Sequence, residues 1–412
     1  MVTQTSAMRE WREHWPVVAA AAIGCAIAQI YLQSMGVMIA PLEAEFGWSR
    51  TQITSGLLIV ALLTLPLSPV VGIAIDRFGP RRIALTGIVV YSVSFACLGL
   101  AQSSIWSWWL LWLPLALGVL CLNPTVWVTA ISTLFVASRG LAIAVSMGAI
   151  GVIAIIAPVV TNAFVDTFGW RAAYIIWGSL AGLIAFPVTF LVFRSVKDIR
   201  PSGSMSGSRT AKTRALTGFS LRDGLRSRAF VRLATVAICM SIASLALMIN
   251  FVPILASLGM TKAAAAATAG LVGITQLIGR FGGGFLLDRF NARVVGAMMA
   301  CLPIATCLLF LGLGPSPLFA SLAVLIFGLA MGAEVDVIAY LSARYFGVKN
   351  FGALFGIIVG LLTIGIGVGP AFASLVYDIT KSYVLVLWMI IPLFLASGLL
   401  LLTMGPYPSF DD

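Results

Sequence analysis

Three charged side chains, Arg280, Glu334 and Asp336, lie well inside long apolar runs of this 412-residue chain. A guanidinium in such a place can grip a carboxylate through two parallel hydrogen bonds. A carboxyl group there can take up and release a proton, or pair with the guanidinium. If the runs cross a membrane, each charge costs roughly 2.5–3.5 kcal/mol unless it pairs or faces water. Arg280 therefore reads either as an anchor for an anion or as the internal partner of Glu334 or Asp336, and the two roles are compatible. Gln276 and Gly284 stand four residues to either side of Arg280 and extend a polar stripe along one helix face. Glu334 and Asp336 are two residues apart, about 200° around a helix, so they serve different faces. Asp336 shares its stripe with Tyr340 and Arg344, which suggests a structural network. Glu334 is then the better candidate for a proton site, because burial and a nearby arginine pull a carboxyl group in opposite directions. Neutral polar residues add Gln29 and Gln33 on one face with Tyr31 opposite, Asn123 with Trp127, and Asn250 alone. Each is either a ligand contact or a helix–helix hydrogen bond.

The elements that carry these residues follow from composition. The chain is 60% hydrophobic and 9% charged, against about 25% charged for a soluble domain. A span needs about 20 apolar residues, and twelve such segments are found, six between residues 16 and 193 and six between 229 and 404. The fold expected is an all-α membrane protein of twelve transmembrane helices, with an N-terminal bundle over 1–193, a basic Ser/Gly-rich linker over 194–228, and a C-terminal bundle over 229–412. Within the linker, Ser220 followed by Asp223 reads as a helix N-cap. With the N-terminus inside, twenty Lys and Arg fall on the cytoplasmic side and four on the other. That asymmetry orients the chain with both termini in the cytoplasm and accounts for the net charge of +11 without a nucleic-acid partner. The first apolar run reads as a retained span of an inner-membrane protein, not a cleaved signal. The six cysteines read as small buried hydrophobes. His14 has no ligand set beside it, so neither metal nor cofactor is expected. The Trp106-Ser-Trp-Trp109 cluster with Trp112 reads as an interfacial belt.

Sliding the chain by 212 positions lays one half on the other. Pro41 meets Pro253, Pro158 meets Pro370 and Asp166 meets Asp378, while Gly72, Asp76, Arg77 and Arg81 meet Gly284, Asp288, Arg289 and Arg293. Two parallel six-span repeats imply rocking bundles with a site near mid-membrane. The run Gly72 to Arg82, G-x-x-x-D-R-x-G-x-R-R, sits where a span meets the cytoplasm. Its Asp76, Arg77 and Arg81, with Asp288 and Arg289 in the second copy, are expected to pair as a gate, the glycines allowing close helix approach. The three buried charges break the repeat: their counterparts are Ser68, Leu122 and Pro124.

The Gly72–Arg82 run resembles the signature loop of the major facilitator superfamily. Phe46-Gly-Trp-Ser-Arg50, Arg139 to Gly148, Ala333 to Tyr340 and Arg344 to Gly347 resemble its monocarboxylate-porter and oxalate/formate-exchanger branch. The resemblance implies an alternating-access carrier whose first, fourth, seventh and tenth spans line the cavity, usually acting as a monomer. It implies that Arg280 binds substrate, with Gln276 where those porters often carry an aspartate. Gln33, Tyr31, Asn123 and Asn250 then complete the substrate site, and Glu334 and Asp336 couple the proton. The branch's lysines in the first and eleventh spans are absent, which leaves one fixed positive charge, suited to one carboxylate. The expected function is secondary transport of a small organic monoanion with a proton across a lipid bilayer. The alternative is an exchanger or efflux pump for a larger amphipathic compound. An enzyme would need a nucleophile–base pair or a metal motif, and none is present.

Overall fold

The computed structural model describes residues 2–135, 138–193, 219–312, 317–347 and 351–408. Most of the 194–228 linker, up to residue 218, lies outside the described residues. The elements are α-helices: α1 Val2–Ile27, α2 Ile30–Phe46, α3 Arg50–Phe78, α4 Pro80–Cys97, α5 Ile105–Cys121, α6 Pro124–Leu134, α7 Arg139–Val192, α8 Leu221–Arg226, α9 Arg228–Ile249, α10 Phe251–Ser257, α11 Lys262–Arg289, α12 Ala292–Gly312, α13 Pro317–Phe346, α14 Phe351–Thr380 and α15 Val384–Leu402. Among the described residues, eleven stretches are long and apolar enough to cross a membrane. One of them, Leu141–Val192, has 52 residues, about 78 Å at 1.5 Å per residue and twice what one crossing needs. It bends at Gly169, whose φ of 81° is in the region that favours glycine. This stretch therefore supplies two spans, consistent with twelve in all.

The 212-residue offset carries helix ends onto helix ends. Pro317–Phe346 shifts to 105–134, the range of α5 and α6 together, and Lys262–Arg289 shifts to 50–77, against Arg50–Phe78 for α3. The chain forms two compact units, Met1–Trp48 with Ile59–Gly207, and Ser49–Leu58 with Ser208–Asp412. The opening turns of α3 thus belong with the second unit.

The core of the first unit is aromatic, with Tyr91, Phe95, Trp108, Trp112 and Tyr174 fully or almost fully buried. This corrects the tryptophan belt. Trp108 and Trp112 are one helical turn apart on the inward face of α5, and Trp108 packs edge-on against Trp112 at 5.6 Å and against Tyr174 at 6.2 Å. Trp106 points away and is 67% exposed. A 3.6-residue period divides a tryptophan cluster between two faces, so only its outer members can sit in an interface. At the start of α8, Ser220 caps the helix as its spacing suggests, accepting from the Asp223 N–H at 3.2 Å.

Candidate functional site

Three spans are interrupted at the polar residues singled out above. The first breaks between Ile27 and Ile30, at Gln29. The fourth breaks between Cys121 and Pro124, where the Asn123 side chain caps α6 by accepting from the Thr125 N–H at 3.4 Å. The seventh breaks at Asn250, between α9 and α10. Each break strands backbone groups that inside a membrane must be satisfied by protein. The Tyr31 N–H donates to the Tyr91 hydroxyl at 3.3 Å. The carbonyl of Leu122 accepts from the Trp127 indole at 3.0 Å, which gives the fully buried Trp127 a structural task. Tyr31 is buried edge-on to Trp112 at 6.2 Å, and Gln33 is half-buried in α2.

In the second unit, α11 and α13 bring the predicted charges together. Arg280 Nε donates to Asp336 Oδ2 at 3.3 Å, and the two side chains keep 28% and 35% of their surface exposed. Glu334 turns the other way, as two residues on a helix require. It is 5% exposed and accepts from the Ser244 hydroxyl of α9 at 3.2 Å. Gln276, one turn before Arg280, has its Oε1 buried with no hydrogen-bond partner among the described residues. The arrangement is a guanidinium shared with one carboxylate in a partly open place, beside an unspent acceptor. A second carboxyl group lies sealed behind them, with no cation paired to it among the described residues. No bond links Asp336 to Tyr340 or Arg344. Arg344 lies over the Tyr407 ring instead, at 4.7 Å, so the expected Asp336 network is replaced by the pair with Arg280.

What allows this proximity is small residues. A Cβ at Gly332 would overlap the Gln276 carbonyl and crowd the Arg280 N–H, and one at Gly279 would strike the Leu329 carbonyl. Gly279/Gly283 on α11 and Gly328/Gly332 on α13 form two small-x-x-x-small stripes that let the backbones touch. That spacing is legible in the sequence, where Gly72 and Gly284 are instead expected to be the glycines of close approach. A Cβ at either of those would meet open space, so they are not the close-packing glycines expected. Ser244 was also missed, being one serine among many until α9 packs beside α13.

The predicted gate residues stand in both units, and each is described within its own. Arg81 donates to the Phe190 carbonyl at 2.5 Å, with its Nε buried and unpartnered among the described residues. Arg77 lies over the Phe78 ring at 5.3 Å, and Arg289 is exposed. The side chains of Asp76 and Asp288 lie outside the described residues. A denser cluster forms at the other end of α3. Asp378 of α14 accepts from the Arg50 N–H at 3.1 Å, the Thr51 N–H at 2.9 Å and the Thr51 hydroxyl at 2.6 Å, so it caps α3 from another helix. The Arg50 guanidinium lies 3.7 Å from the Tyr377 ring centre and donates to the Tyr383 hydroxyl at 2.7 Å. Tyr383 in turn donates to Asn250 Oδ1 at 3.0 Å, and Asn250 Nδ2 donates to the Ala246 carbonyl at 2.9 Å. Asn250 is therefore fully buried at the end of a chain of hydrogen bonds.

The backbone is similar to that of a D-xylose–proton symporter, with a TM-score of 0.74 at 16% identity over 95% of this chain and 98% of that one. It is also similar to a bacterial homolog of the human lysosomal transporter Spinster in an inward-facing, unoccupied conformation, with a TM-score of 0.69 at 18% identity over 94% and 92% of the two chains. Among curated proteins, monocarboxylate transporter 12 of Mus musculus is 23% identical over 90% of this chain and 80% of its own length. The uncharacterized MFS-type transporter YhjX of Escherichia coli (strain K12) is 24% identical over 84% and 82%. The sequence profile of the Major Facilitator Superfamily matches residues 20–341. With that much of its length matched and its helices folded alike, this chain belongs to the major facilitator superfamily, as a multi-pass membrane transporter and not an enzyme.

Proposed function

We propose that this transporter moves a small organic monoanion together with a proton by alternating access. The reading rests above all on the partly exposed Arg280–Asp336 pair. A guanidinium fully spent on an internal carboxylate would be buried with it, since an exposed pair contributes little to stability. Here an incoming carboxylate can displace Asp336 from Arg280 and take over its hydrogen bonds. The displaced Asp336 then loses its counter-charge, so anion binding changes the balance of charge around the pair. Glu334 supports the same reading: a carboxyl group sealed from water, with one hydroxyl partner and no ion pair among the described residues, pays for desolvation unless it carries a proton. Gln276, one turn before Arg280 and with its Oε1 unpartnered among the described residues, is the proposed neutral contact to substrate. Asn250 is assigned to the Arg50–Tyr383 chain, whose contacts hold the opening turns of α3 to α14 and α15 as a latch.

The relative named for monocarboxylates and the solved proton symporter are in keeping with this class of cargo and coupling. The charge asymmetry supports cytoplasmic termini and an inner-membrane location. The helix ends related by 212 residues support two six-span halves, 1–193 and 229–412, joined by 194–228 and working as a monomer. A thermal-shift screen of purified protein against mono- and dicarboxylates across pH tests the proposal. Monocarboxylates should stabilise most, because Arg280 offers one guanidinium to one carboxylate. Stabilisation by dicarboxylates or neutral amphipathic compounds alone would sink it.

A further inference from the structure

A cavity of about 420 Å³ opens at the start of α9, away from the charged pair. Its lining includes Ser227, which caps α9, Arg228 and Arg232 of the first turns of α9, Tyr345 near the end of α13, and Thr403 to Pro406 with Pro408 of the tail. Arg228 and Arg232 are one helical turn apart, so their side chains leave the same face. Among the described residues no carboxylate lines the cavity and neither arginine is ion-paired. Arg232 spends one N–H on the Thr403 carbonyl at 2.5 Å, and four of its five donors remain. Two further arginines brace the tail that forms the far wall. Arg293 donates to the Met404 and Gly405 carbonyls at 2.6 and 3.1 Å, and Arg344 lies over the Tyr407 ring. The Tyr345 hydroxyl donates to the Gly405 carbonyl at 2.5 Å. The wall is thus built and held, while the positive charge at the mouth has no ion-pair partner among the described residues.

We infer that this cavity binds a phosphate-bearing anion, held by Arg228 and Arg232, and that the anion is the headgroup of an acidic phospholipid. Paired guanidiniums match the oxygens of a phosphate. The volume admits a glycerophosphate headgroup. The location decides the source: α9 is a membrane-crossing helix, and its first turns lie where a span meets the lipid headgroups, a place where basic pockets between spans take anionic lipid. Phe219 and the prolines of the tail offer an apolar side for the glycerol end. A bound headgroup would tie α9, the end of α13 and the C-terminal tail together, stabilising the second unit.

The test is thermal unfolding of delipidated, detergent-purified protein with dioctanoyl phosphatidylglycerol, dioctanoyl phosphatidylcholine or inorganic phosphate. Phosphatidylglycerol should raise the midpoint saturably by roughly 3 °C or more, and phosphatidylcholine should not. In the Arg228→Gln/Arg232→Gln double variant the half-saturating concentration should rise about tenfold. An unchanged response in that variant would overturn the site. Inorganic phosphate acting as well as the lipid would overturn the lipid source and assign the cavity to a soluble phosphate. Should the double variant fold poorly, native mass spectrometry of Arg228→Gln alone, a change at an exposed residue, counts retained lipid directly. Retention equal to the unaltered protein would then refute the proposal.

Discussion

The tenth span and its partner in the first half solve one problem in two ways. Under the 212-residue offset, α13 corresponds to α5 and α6 together, and Glu334 and Asp336 correspond to Leu122 and Pro124. In the first unit the helix breaks at those positions, with Asn123 capping the new start and Trp127 closing the freed carbonyl. In the second unit the helix runs on unbroken and carries two carboxyl groups. Both place polarity in the middle of a span. Only the carboxylates can trade a partner for an anion or a proton, so under the proposed function the chemistry falls to the second unit and shape to the first.

The comparison breaks first at its arginine. Arg280→Ala should abolish saturable carboxylate uptake, a loss of 100-fold or more by analogy with a buried bidentate contact. Its counterpart Ser68→Ala should leave uptake within about twofold of normal, as expected of a surface change. Equal loss in both, measured as initial rates at matched expression, would undo the division of labour. Next come the carboxylates. Glu334→Gln should remove accumulation driven by a pH gradient while sparing counterflow, and survival of that accumulation would move the proton site elsewhere. Asp336→Asn should bind substrate several-fold more tightly, because Arg280 loses its internal competitor. Isothermal titration of the variant beside the unaltered protein would register the gain.

Packing sharpens the contrast further. Gly332→Ala should lower the unfolding midpoint and weaken substrate binding together, since the added Cβ forces α13 away from the backbone that carries Gln276 and Arg280. Gly284→Ala, facing open space, should change neither. The smallest effect belongs to the break itself. Asn123→Ala removes a cap worth about 1 kcal/mol and should lower the midpoint modestly, with little change in uptake.

Much of this could be read along the chain. Hydropathy and length determined a polytopic helical bundle, because the bilayer admits few other solutions. The fixed offset determined the repeat, and the scarcity of charge inside apolar runs singled out Arg280, Glu334 and Asp336. A one-dimensional pattern also separated the faces of Glu334 and Asp336, since helical angle depends only on spacing. Which carboxylate meets Arg280 was decided by tertiary structure, because the answer depends on the register of α11 against α13, set by glycines whose partners lie some 50 residues away. The same holds for Trp108 and Trp112, drawn into a core by neighbours on other helices, and for Asp378, which caps a helix more than 300 residues earlier in the chain. Spacing fixes what a helix offers; what accepts the offer depends on which helices come into contact.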